Sequence, residues 1–161
     1  MTRLTFSIGD DPRAVETIIA GGAMNFSGFV VVEAPKQATA LWEATGRGQR
    51  IIVVRSILAD DALLGSENKD QREIADHWWR AAKAHLDQCP PGVWITVGLM
   101  PGVANGAECR RFNDFAVAAM GHIATYNLGR DYDKRVRPVL GNFSQGTPPL
   151  TMWDGFNGFS A

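Results

Sequence analysis

Cysteine and histidine are scarce in this chain, and each scarcity closes off a class of chemistry. The two cysteines, Cys89 and Cys109, lie in different segments of 161 residues. A disulfide framework needs more cysteines in a shorter chain, so both read as reduced thiols. Cys109 falls in the first turn of a helix pattern, where the helix dipole lowers a thiol pKa. The three histidines, His77, His85 and His122, all fall on helix patterns without a third ligand at metal spacing, so no metal is expected.

Other absences narrow the field further. Ser7, Ser56 and Ser144 lack a Gly-x-Ser-x-Gly elbow, which leaves a serine-hydrolase triad without support. No glycine-rich phosphate loop or Walker-type loop occurs, and no nucleotide or other cofactor is expected. The formal net charge is −1, without a basic block, so nothing offers nucleic acid an electrostatic footprint. No apolar run approaches the roughly 20 residues that cross a bilayer, so no membrane partner is expected. Met1-Thr2-Arg3-Leu4-Thr5-Phe6 has no signal-peptide pattern. The expectation is a cytoplasmic protein; a phage protein or one exported without a leader would read the same way.

What is present is an apolar content of 45% against 20% charged residues, enough for a sizeable core. The length fits one α/β domain over residues 1–161. Leu4 to Ile8 alternates apolar and polar, as a half-buried strand does. Asp11-Pro12 then reads as an N-cap and first helical residue, with Val15, Ile18 and Ile19 inward. Phe29-Val30-Val31-Val32 and Ile51-Ile52-Val53-Val54 are uninterrupted apolar runs, the pattern of strands covered on both faces. Between them Lys36 to Ala44 reads as a short helix with Ala40, Leu41 and Ala44 inward.

A polar loop from Ser56 to Lys69 precedes a helix over Asp70 to Gln88, where Ile74, Trp78, Ala82 and Leu86 recur every four residues. Pro90-Pro91-Gly92 breaks the chain, and Val93 to Val97 reads as the fourth strand. Asn105 and Glu108 fit a capping arrangement for a helix burying Phe112, Phe115, Ala119 and Ile123. Tyr126 to Arg137 reads as loop, and Pro138 to Ser144 as a fifth strand. Five strands alternating with four helices imply a parallel sheet with right-handed crossovers.

Two architectures fit that alternation: a partial or degenerate TIM-type barrel, and an open doubly wound sheet. Trp94-Ile95-Thr96-Val97-Gly98-Leu99-Met100-Pro101-Gly102 resembles the fourth strand of retaining glycosidases of the (β/α)₈ type, which ends in Asn-Glu-Pro. Gly141-Asn142-Phe143-Ser144-Gln145-Gly146-Thr147-Pro148, followed by Trp153 and Phe156, resembles the fifth strand and helix start of bacterial and phage glycosidase-like barrels. Arg55 at its strand end and the aromatic helix with His77-Trp78-Trp79 are similar to the third unit of the same pattern.

The resemblance implies a carbohydrate-related protein and, equally, a loss of catalysis. The family's Asn-Glu pair falls on Leu99 and Met100, and a methionine cannot protonate a leaving oxygen. The second carboxylate of that family lies on a late strand, beyond the five read here. Retaining hydrolysis needs two carboxyl groups about 5 Å apart. A full barrel takes about 250 residues; five units leave two open sheet edges, which invite a homo-oligomer or a partner chain.

The candidate residues follow from these placements. Arg55, Asn142, Ser144 and Trp153 are candidates to hold a glycan or small carbohydrate at the strand C-terminal rim. Glu33, at the end of the second strand, and Asp154 are the carboxylates an active hydrolase would have to use. A structural module, phage-related and completed by a partner, is the competing reading. For Trp94 and the Trp78-Trp79 pair, packing weighs against stacking on sugar, with one of the adjacent pair facing outward or into a helix seam.

Overall fold

In the computed structural model of the chain, residues 4–7, 11–21, 28–44, 51–54, 70–97 and 106–140 are described. They form β1 (Leu4–Ser7), α1 (Pro12–Ala20), β2 (Gly28–Val32), α2 (Pro35–Ala44) and β3 (Ile51–Val54), then α3 (Gln71–Leu86), β4 (Trp94–Thr96), α4 (Gly106–Tyr126) and β5 (Arg137–Val139). The alternation expected from the sequence is thus an α/β arrangement of βα repeats.

Local chemistry explains where the helices begin. The Asp11 carboxylate accepts the Arg13 N–H at 2.9 Å, with Pro12 in the first turn of α1. Asp70 accepts the Arg72 N–H at 2.9 Å and caps α3 in the same way. Glu73 in the first turn of α3 and Lys83 and His85 in its last turn complement the helix dipole.

All four strand pairings are parallel, and the sheet order is β1-β2-β3-β4-β5. Doubly wound sheets reverse their strand order at a switch point; these five strands do not. With right-handed crossovers, an unreversed order places every connecting helix on one face of the sheet. Accordingly α1 packs beside α2, and α3 beside α4.

The core lies between that helix layer and the sheet. Val32, Ile52, Val54, Ile95 and Val97 from the strands meet Leu41, Ile74, Trp78, Leu86, Phe112, Phe115 and Ile123 from the helices. The stripes expected on α3 and α4 are all buried. Ile19 departs from expectation: it is exposed, on a helix that, among the described residues, packs beside α2. On α2 the buried residues are Gln37, Ala38 and Leu41, and Ala44 in the last turn is exposed.

Pairing register puts Val31, Val53, Trp94 and Arg137 in one row across β2 to β5. These residues alternate with the core-facing ones, so the row lies on the other face of the sheet. Val53 and Thr96 are buried there, so β3 is covered on both faces, as its unbroken apolar run predicts. The stretch expected to be loop from Tyr126 onward instead holds the end of α4, a 3₁₀ turn at Tyr132–Lys134 and the start of β5 at Arg137.

The β5 edge is blunted. Arg137 donates its N–H to Val93, and Val139 accepts from the Val97 N–H. The backbone groups of residues 137 and 139 therefore face β4, and Pro138 between them turns its ring nitrogen outward. No donor is offered at that position to an added strand.

Candidate functional site

Parallel strands bring their C-terminal ends to one side of a sheet, where α/β proteins gather functional loops. At this rim β2 ends on Val32 and delivers Glu33. Glu33 is half-buried, and its backbone is held by a side chain the sequence reading passed over. Gln37 is buried, and its Oε1 accepts the N–H of Glu33 at 3.2 Å and of Ala34 at 3.1 Å. Its Nε2 donates to the Asp11 carbonyl at 3.4 Å.

One buried amide thereby ties the β1–α1 connection to the β2–α2 connection. The signal was in the sequence: Gln37 stands at the third position of a helix opened by Pro35, where a Gln reaches back to the cap N–H groups.

Of the residues predicted for this rim, Glu33 is the one the structure describes. Arg55, Met100, Asn142, Ser144, Trp153 and Asp154 lie outside the described residues. In the chain, Arg55 directly follows the last residue of β3, and Asn142 comes three residues after the last of β5.

Trp78, Trp79 and Trp94 are placed away from this rim, and Trp42 of α2 packs against the core. Trp78 is fully buried in the core, edge-on to Phe115 with ring centroids 5.9 Å apart. Trp79 fills the seam between α3 and α4. Trp94 opens β4, at the opposite end of that strand from the rim, with the Arg137 guanidinium 5.9 Å from its ring centre.

The α3–α4 seam carries a polar cluster. His122 stacks on Trp79, and its Nε2 lies 2.7 Å from Asp76 Oδ1. Tyr126 stands edge-on to Trp79 and donates its hydroxyl to Asp87 at 3.0 Å. Asp87 also pairs with Lys83, whose hydrogen bond is the main influence holding its carboxyl below the usual 3.8; Tyr126 adds to this. Burial, and then the bond to Asp87, push the Tyr126 hydroxyl above its usual 10.0. These groups satisfy one another across two helices, which is the chemistry of a clasp.

Neither thiol is poised as a nucleophile. Burial pushes Cys89 up to about 11. Cys109 is likewise raised, first by burial and then by Glu108, the opposite direction to the lowering expected from its place in the first turn of α4. Among the described residues no group of three His, Cys, Asp or Glu is arranged to hold a metal ion. Among them, too, no helix is long and apolar enough to cross a membrane.

A groove of about 770 Å³ opens between the start of α3 and the middle of α4, lined by Asp70, Arg72, Asp76, Asp114, Val117 and Ala118. It sits in the helix layer. No family model, curated protein or solved structure matches the chain.

Proposed function

We propose that this chain is a barrel-type βα domain that binds a carbohydrate at its strand C-terminal rim without hydrolysing it. The observation that carries the reading is the unreversed parallel order β1-β2-β3-β4-β5. That is the order in which a (β/α)₈ barrel is laid down, and it lacks the switch point where doubly wound sheets bind nucleotides. In this reading Glu33, Arg55, Leu99-Met100 and Asn142 with Ser144 follow successive strands around one rim.

The position matching the glycosidase acid/base is Met100, so bond cleavage has no proton donor there. Arg55, Asn142 and Ser144 supply hydrogen bonds to sugar hydroxyls, and Trp153 an apolar face for a sugar ring. Glu33, held by Gln37 through its backbone, presents a carboxylate acceptor at the same rim.

A glycan array probed with the purified chain tests the reading. Binding to a defined glycan class that is lost in Arg55→Ala, with no release of reducing sugar, is the expected result. Absence of binding to every glycan sinks it. Glycan turnover that disappears in Glu33→Gln or Asp154→Asn would replace it with an active hydrolase.

A further inference from the structure

We draw no further inference here: the strongest candidate, the groove between the start of α3 and the middle of α4, is a cluster of carboxylates in which Asp70 already caps α3 and Asp76 already meets His122, and among the described residues nothing points to a ligand for it.

Discussion

The imidazole of His122 lies flat on the indole of Trp79, with ring centroids 5.7 Å apart and planes 3° from parallel. The two residues come from different helices, and the contact binds α4 to α3 at the outer surface. His122 also reaches Asp76, whose side chain is 61% exposed. A pair so open to water contributes little, and the ring stack carries most of the effect.

His122→Ala is therefore expected to cost about 1 kcal/mol of stability, read as a lower urea midpoint at unchanged slope. His122→Phe keeps the stack and gives up the Asp76 contact, so it should recover most of the loss. Equal losses in the two variants would assign the energy to Asp76 instead.

Tyr126 and Asp87 set opposite limits in pH. The folded protein holds Asp87 below its usual 3.8, first through Lys83, so it takes up a proton less readily than the unfolded chain. Its contribution is complete above 3.8 and is lost as pH falls through the lower folded value. Tyr126 is raised above 10.0, first by burial. Its contribution is complete below 10.0 and is lost as pH rises through the higher folded value. Denaturation midpoints against pH should fall less steeply on the acid side in Asp87→Asn and on the alkaline side in Tyr126→Phe. Wild-type slopes in both variants would show that the bond between them is not formed in solution.

Gln37→Ala removes one buried acceptor that serves two N–H groups. Leaving buried donors unpaired costs about 1–3 kcal/mol, so chemical denaturation should register a loss of that order. Gln37→Glu keeps the acceptor and loses the bond to the Asp11 carbonyl, and should cost less. The same substitutions probe the rim, because Glu33 depends on this anchor: Gln37→Ala should weaken any glycan binding beyond its effect on stability.

Gly92 sits at φ +78°, in the left-handed region that favours glycine. A Cβ there would run into the Asp133 carbonyl oxygen. Gly92→Ala is expected to cost about 2 kcal/mol or more, combining backbone strain with that overlap. Thermal unfolding measures it, and a neutral result would mean that the turn before β4 and the 3₁₀ turn before β5 are not in contact.

Much of the fold can be read along the chain because it follows from local chemistry. The apolar run Ile51 to Val54 predicts a strand buried on both faces. The spacing of Ile74, Trp78, Ala82 and Leu86 predicts the buried stripe of α3. Asp11 and Asp70 announce helix starts because a carboxylate caps backbone N–H groups two residues on. Gln37 was legible in the same way, by its position after Pro35, yet it needs a buried setting before its three hydrogen bonds count. The rim candidates beyond Glu33 rest on where they stand in the chain, immediately after strands.

Other features have no local signature. Strand order is a relation among residues far apart in sequence, and the unreversed β1 to β5 order comes from how crossovers pack. His122 and Tyr126 lie more than forty positions from Trp79, so the clasp they make with it exists only once α3 and α4 are side by side. Burial likewise bears on Cys109: its place in the first turn of a helix predicts a lowered thiol pKa, and burial raises it. Sequence alone determined the elements, the alternation and the apolar residues Leu99-Met100 where the glycosidase resemblance puts an acid. Tertiary structure decided the order of the strands, the clasp between the helices and the burial of Cys109, because each depends on contacts that form only when distant segments pack together.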